Sequence, residues 1–227
     1  MCESLKPIIY AIIPVKDPCE SKSRLSNVFN TEVRRRLTLL MLEDVISTLK
    51  RSKLLTRVVV VSPSLEVLNL GKNLNCEVVR EGPRSIGLNK AVELGVEYSG
   101  KLGAEVVLIL PADIPMIGLE DVDNLLSSGL RLEKPYVVIS PSKDGGTNAL
   151  MLSLPTRITF KFGPNSYMSH LQEAKRTRSN FAVFHSKNIE MDVDDEIDLC
   201  FFLKSLESGK CRKSWLYLRE VYKDLCN

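Results

Sequence analysis

Three cations follow the first apolar run of the chain. Pro14-Val15-Lys16 leads into Asp17-Pro18-Cys19-Glu20-Ser21-Lys22-Ser23-Arg24-Leu25. Fixed cations among serines, on a loop running toward a helix, suit a triphosphate, whose oxygens take charge-assisted hydrogen bonds and exposed backbone N–H groups. A solvated basic loop is the other reading. This is not a Walker loop, because the Gly spacing and the Gly-Lys-Ser/Thr ending are absent. A lone carboxylate, Asp113, stands between two prolines in Pro111-Ala112-Asp113-Ile114-Pro115. Oxygen donors suit Mg²⁺, which also keeps some of its waters; an Asp that turns the chain or caps a helix is the alternative. A third group is Asp192-Val193-Asp194, followed by Asp195-Glu196-Ile197-Asp198. If residues 189–193 form a strand, Asp192 and Asp194 face one side and repel unless a cation lies between them. Alternatively Asp194 caps the next helix and Asp195 and Glu196 favour its positive end, which leaves Asp192 unexplained.

The remaining polar groups are neutral donors. Asp144-Gly145-Gly146-Thr147-Asn148-Ala149 is a turn, or a place where backbone approaches a ligand beside the Thr147 and Asn148 side chains. Phe162-Gly163-Pro164-Asn165-Ser166 can expose backbone N–H groups at Gly163 and a hydroxyl at a helix start, a suitable place for an anion. His170, one turn on, reads as a structural histidine.

These groups need elements to hold them at one place. Short β-branched runs bounded by Pro, Gly or Ser predict strands over residues 8–15, 57–62, 76–80, 105–110, 136–140, 148–152, 181–185 and 189–193. Residues 31–50 carry apolar side chains on one helical face, with Asn30 or Thr31 as cap. Weaker helical patterns cover 88–98 and 119–126, and further helices are expected over 166–176 and 195–206. The alternation predicts an α/β fold with helices on both faces of a mostly parallel sheet, and the close spacing around Asp144-Gly145-Gly146 predicts one antiparallel hairpin. In such sheets a ligand binds beyond the carboxyl ends of the strands, which is where the polar groups above fall. The division expected is one domain over residues 1–208 and an amphipathic tail over 209–227, with Trp215, Leu216, Leu218, Val221, Tyr222 and Leu225, docked on the core or on a second subunit.

Bulk properties exclude several classes. With 31 Lys and Arg against 28 Asp and Glu, the net charge is +3, too small for a nucleic-acid surface. No apolar run is long enough to span a bilayer, and the start of the chain reads as a first strand, not a signal peptide. The six cysteines, Cys2, Cys19, Cys76, Cys200, Cys211 and Cys226, make no CxxC pair and lie far from His170 and His185. That argues against zinc and for a reduced, cytoplasmic protein.

Taken in order, Lys16 with Lys22-Ser23-Arg24-Leu25, Leu88-Asn89-Lys90-Ala91, Pro111-Ala112-Asp113-Ile114-Pro115, Asp144-Gly145-Gly146-Thr147-Asn148-Ala149, Phe162-Gly163 with Ser166, and Asp192-Val193-Asp194 resemble the 2-phospho-L-lactate guanylyltransferase family of coenzyme F420 biosynthesis. The resemblance runs from about residue 8 to 203 and leaves out the tail. It implies a three-layer αβα fold with a mixed sheet, like that of nucleotide-diphospho-sugar transferases. It implies GTP and 2-phospho-L-lactate as substrates, Mg²⁺ as cofactor, and a homodimer; some relatives take phosphoenolpyruvate. By the same resemblance Lys16, Lys22, Ser23 and Arg24 hold the triphosphate, and Asn89 lies near the nucleotide. Asp113, Asp192 and Asp194 hold Mg²⁺, and Thr147, Gly163 and Ser166 bind the acid. Lys22, Arg24 and Asp113 carry the catalytic work. A nucleotidyltransferase for a sugar phosphate or a molybdopterin would share the basic loop and Asp113 without needing the Thr147, Gly163 and Ser166 set. A catalytically dead nucleotide-binding or scaffolding protein is the rival from another class, and the intact cations and carboxylates argue against it.

Overall fold

The computed structural model describes residues 6–82, 85–205 and 212–222. Along the chain run β1 (Ile9–Pro14), α1 (Thr31–Leu49), β2 (Arg57–Ser62), α2 (Leu65–Asn73), β3 (Glu77–Arg80), α3 (Leu88–Lys101), β4 (Val106–Ile109) and α4 (Leu119–Leu130). Then come β5 (Tyr136–Pro141), β6 (Thr147–Ser153), α5 (Ser166–Arg176), β7 (Asn180–Val183), α6 (Lys187–Glu190), α7 (Glu196–Ser205) and α8 (Lys213–Val221). The strands make one sheet in the order β3-β2-β1-β4-β6-β5-β7. β6 runs antiparallel to both β4 and β5; the other pairings are parallel. The fold is therefore α/β with a mixed, mostly parallel sheet.

Apolar side chains alternate between the two faces because strand side chains do. Ile9, Ala11, Ile13, Val58 and Val60 face one way, onto Leu42, Ile46 and Leu49 of α1, Val67 of α2 and Leu125 of α4. Tyr10, Ile12, Val59 and Val61 face the other way, onto Ala91 and Val92 of α3 and Ala174 of α5. Three layers result. A third cluster joins Leu37 and Met41 of α1 to Leu199 and Phe202 of α7, and to Leu218 and Tyr222 at the end of the chain. The expected tail helix thus packs on the chain's own core. The 208/209 boundary, Leu225, Cys2, Cys211 and Cys226 lie outside the described residues.

Residues 189–193 are not a strand. Ser186 caps the single turn α6, accepting a hydrogen bond from Ile189 N, and the buried Ile189 ends that turn instead of entering the sheet. α2 was not expected; its nine residues, Leu-Glu-Val-Leu-Asn-Leu-Gly-Lys-Asn, mix weak helix formers with a short apolar face.

β1 lies between β2 and β4, so the chain winds outward from it in both directions. The crevice at such a reversal opens beyond the carboxyl ends of the two central parallel strands. Because β6 is reversed, its amino end and the β5–β6 turn come to the same edge.

Candidate active site

A cavity of about 650 Å³ opens at that edge. Its walls include Lys16, Lys22, Ser23 and Arg24 after β1, Asp113 after β4, Thr147 and Asn148 at the start of β6, Gly163 and Ser166 before and at the start of α5, and Asp192 and Asp194. Two 3-10 turns, Pro18–Glu20 and Ser23–Leu25, shape the basic loop. Asp17 caps the first by accepting from Cys19 N at 2.9 Å. Between the turns Lys22 adopts φ 57° and ψ 42°, a left-handed conformation that a non-glycine residue takes only when its surroundings impose it.

Here the imposition is electrostatic. Lys22 Nζ donates to Asp113 Oδ2 at 2.5 Å and to Asp194 Oδ1 at 2.7 Å, and its side chain is 4% exposed. Burial works against the ammonium charge, but the two carboxylates outweigh it and raise the Lys22 pKa. Burial likewise works against the Asp194 charge, yet Lys22 wins and its pKa is lowered. Asp192 behaves otherwise. Burial, with Asp113 and Asp194 close by, pushes its carboxyl up to about 6, and its Oδ1 accepts one long bond, 3.3 Å, from Asn148 Nδ2. Asp113, Asp192 and Asp194 thus lie close together, with the Lys22 ammonium bonded to two of them. Among the described residues, no three His, Cys, Asp or Glu side chains are gathered closely enough to hold a metal alone.

The Asp192–Asp194 segment is held by two devices. Val193 N donates to Asp113 O at 2.9 Å and Val193 itself is buried, so its neighbours turn to the cavity without a strand. The helix cap expected of Asp194 is supplied by Asp195: its Oδ1 accepts from Asp198 N at 3.0 Å, and Asp198 Oδ2 accepts from Asp195 N at 3.1 Å and Asp194 N at 2.9 Å. This reciprocal capping box leaves the Asp194 carboxylate for Lys22. Lys143 pairs with Asp198 and ties the β5–β6 turn to the same segment.

Hydroxyls also line the cavity. Thr147 and Ser166 are both buried; Ser166 Oγ donates to Thr147 Oγ1 at 3.2 Å, and His170 Nδ1 lies 3.0 Å from that oxygen. Gly163 has φ 137°, and a Cβ there would meet no atom within 4 Å. It is glycine for its backbone conformation, not for crowding. Asn89 is absent from the cavity wall. Both ends of its amide bind one backbone unit, Nδ2 donating to Phe162 O at 3.1 Å and Oδ1 accepting from Phe162 N at 2.7 Å, so it anchors the loop leading to Gly163.

Sequence reasoning missed Thr38, Met41 and Ser142 on the wall. Thr38 and Met41 sit inside the long pattern of α1, where nothing marks them as cavity residues. Ser142 lies at the carboxyl end of β5, a position that the strand-end rule could have flagged.

The chain matches the family described as guanylyl transferase CofC-like over residues 9–225, a span that includes α8. It is 37% identical over 214 residues to a 2-phospho-L-lactate guanylyltransferase of Methanobrevibacter smithii, covering 94% of this chain and 90% of that one. It is 40% identical over 192 residues to a phosphoenolpyruvate guanylyltransferase of Rubrobacter xylanophilus, covering 84% and 91%. Among solved structures, a protein described as a nucleotide-diphospho-sugar transferase from Desulfovibrio desulfuricans superposes with a TM-score of 0.74 at 16% identity, over 93% of this chain and 94% of that one. A nucleotidyl transferase from Methanothermobacter superposes with a TM-score of 0.62 at 13% identity, over 92% and 98%. At these identities the structures share the fold.

Proposed function

The chain belongs to the guanylyl transferase CofC-like family and is a nucleotidyltransferase, and on that premise we propose that it joins the guanylyl group of GTP to the phosphate of 2-phospho-L-lactate. The products are lactyl-diphospho-guanosine and pyrophosphate, a step of coenzyme F420 biosynthesis. The observation that carries this reading is one cavity lined both by Lys16, Lys22, Arg24, Asp113, Asp192 and Asp194 and by Thr147, Gly163 and Ser166.

An oxygen of the acceptor phosphate forms a bond to the α-phosphorus of GTP, and the bond from that phosphorus to the oxygen bridging to the β-phosphorus breaks. Pyrophosphate leaves with that electron pair. The acceptor phosphate has a second pKa of about 6, so it is a ready nucleophile at neutral pH and needs no general base. The barrier is repulsion between anions. Lys16, Ser23 and Arg24 line the cavity where they can take the triphosphate, and Lys22 can follow the charge that develops on pyrophosphate. Among Asp113, Asp192 and Asp194, one or two carboxylates would hold Mg²⁺ together with phosphate oxygens: the set is all oxygen, two members converge on one ammonium, and the third lies close to both. One or two carboxylates plus phosphate oxygens are the usual Mg²⁺ set. Bound there, the ion would supply Lewis-acid charge to the reacting phosphates. Thr147, Gly163 and Ser166 would hold the acid.

Phosphoenolpyruvate is the second reading for the acceptor, because relatives of both names match most of the chain. A homodimer is the assembly that the resemblance implies, and exposed Ile197, Phe201, Leu216 and Val221 of α7 and α8 would be the side chains to meet a partner; a monomer mass in sedimentation would remove it. GTP consumption fits the cytoplasm, and among the described residues no helix is long and apolar enough to cross a membrane. The test of the acceptor is pyrophosphate release with Mg²⁺, GTP and a panel of phosphorylated three-carbon acids. Highest kcat/KM with 2-phospho-L-lactate is expected; preference for phosphoenolpyruvate would select the second reading, and release only with a sugar phosphate would overturn both.

A further inference from the structure

Behind Thr147 and Ser166 lies a side chain that the reaction above does not use. His170 is wholly buried, its ring edge-on to Phe162 with centroids 4.8 Å apart. Its Nε2 is 3.1 Å from the backbone nitrogen of Lys161. A backbone N–H can only donate, so Nε2 accepts, and a neutral ring then carries its proton on Nδ1. That Nδ1–H faces Thr147 Oγ1 at 3.0 Å and donates to it. Ser166 Oγ donates to the same oxygen at 3.2 Å. A hydroxyl has two lone pairs and one hydrogen. With both lone pairs of Thr147 filled from within the wall, its hydrogen is the one valence left for a group in the cavity.

We propose that His170 is a positioning residue for the acceptor: through the chain Lys161 N–H, His170, Thr147 it commits the Thr147 hydroxyl to donate, and so to bind an anionic oxygen of the phosphoacid. The inference rests on the assignment of Thr147 and Ser166 to the acceptor. Burial holds the His170 pKa down to about 4, with Lys161 adding to the effect and Glu173 opposing it, so the ring stays neutral at working pH. A charged ring would point a second N–H at that of Lys161 and break the chain.

Two readouts test this on the full chain. Long-range proton–nitrogen correlation of the wild-type imidazole is expected to show the neutral Nδ1–H tautomer at about neutral pH; the Nε2–H tautomer would overturn the proposal without any variant. In kinetics, His170→Phe keeps the ring's bulk and its contact with Phe162. It is expected to raise the acceptor KM about tenfold, as for one lost hydrogen bond to a charged group, with the KM for GTP unchanged. Added to Thr147→Val it should do no further harm, because both remove one donor. An unchanged acceptor KM, an equal rise in both KM values, or effects that multiply would each overturn it. If His170→Phe does not fold, His170→Asn, whose amide can donate near the Nδ1 position, should hold the acceptor KM within about threefold of wild type. A wild-type enzyme inert toward every acid would instead overturn the function reading; active wild type with the wrong tautomer overturns only this one.

Discussion

At the scale of single residues the cavity is a contest between charges. Asp113 supplies one of the two carboxylates around the Lys22 ammonium. Asp113→Asn keeps the shape but removes a charge, so turnover at ordinary Mg²⁺ should fall at least about a hundredfold with the fold intact. Normal activity in that variant would return Asp113 to the role of a turn residue. Arg24 is exposed on the cavity wall. Arg24→Ala should cost about 2 kcal/mol of transition-state stabilisation, roughly a thirtyfold loss in kcat/KM for GTP, as for a charged contact. An unchanged kcat/KM would mark the loop as merely solvated. Residue types were legible where chemistry restricts them: the basic loop after β1 and Asp113 after β4 follow strand ends, where a strand-end rule finds them, whereas Asp192 and Asp194 reach the cavity from a segment that is no strand. Asn89 shows the limit. Its amide is spent on Phe162, and no spacing in the sequence says which of two loops a polar side chain will bind.

At the scale of elements, even the weaker patterns over residues 88–98 and 119–126 were legible as α3 and α4, whereas α2 was not. Asn30 caps α1 by accepting from Val33 N at 3.0 Å, one of the two caps expected. The α5 bounds match residues 166–176. The strand expected over residues 189–193 fails because a β-branched and apolar run says nothing about whether an edge is open to receive it. The cap of α7 turned on one position: Asp195, Asp194 and Asp198 are all competent by type, and geometry selects Asp195. The cap of α8 is similarly invisible in sequence, since it comes from far away. The buried carboxylate of Asp44, on α1, accepts from Lys213 N at 2.9 Å, Ser214 N at 3.0 Å and Ser214 Oγ at 2.5 Å, satisfying donors at the helix start. Arg212 donates to Thr48 Oγ1 and Asp44 O beside it. Asp44→Ala strands these donors and should lower stability by about 3 kcal/mol, read as a lower Tm, while the KM values at room temperature stay near wild type. An unchanged Tm would mean that α8 is held by its apolar contacts alone.

At the scale of the whole molecule, pH links the cavity hydroxyls to stability. Burial lowers the His170 pKa from 6.5 to about 4, so its contribution is complete above about 6.5 and is lost as pH falls toward 4. Glu173 is lowered from 4.5 to about 2, first by its bonds to Arg176 and against its burial; its contribution is complete above about 4.5 and disappears as pH falls through 2. Both signs destabilise on the acid side. The His170 part should be on the order of 2 to 3 kcal/mol between pH 7 and pH 4. The raised Asp192 carboxyl acts with the opposite sign over that window, so the His170 part is read as a difference: the Tm of His170→Phe relative to wild type should rise as pH falls from 7 to 4, and a difference that does not change with pH would contradict the assignment. The layer order and the reversed β6 were legible from alternating elements and one tight turn. The gathering of the polar groups at one edge was legible as well, except for Asn89, which binds Phe162 instead of lining the cavity.

The fate of the α-phosphorus of GTP distinguishes guanylyl transfer from hydrolysis most directly. Incubated with Mg²⁺, 2-phospho-L-lactate and GTP labelled at that phosphorus, the protein should move the label into a compound that also contains the acid. Label at the γ position should leave as pyrophosphate in equal amount. Label that stays in GTP, or that appears only as free GMP in the presence of each three-carbon phosphoacid, would contradict the account.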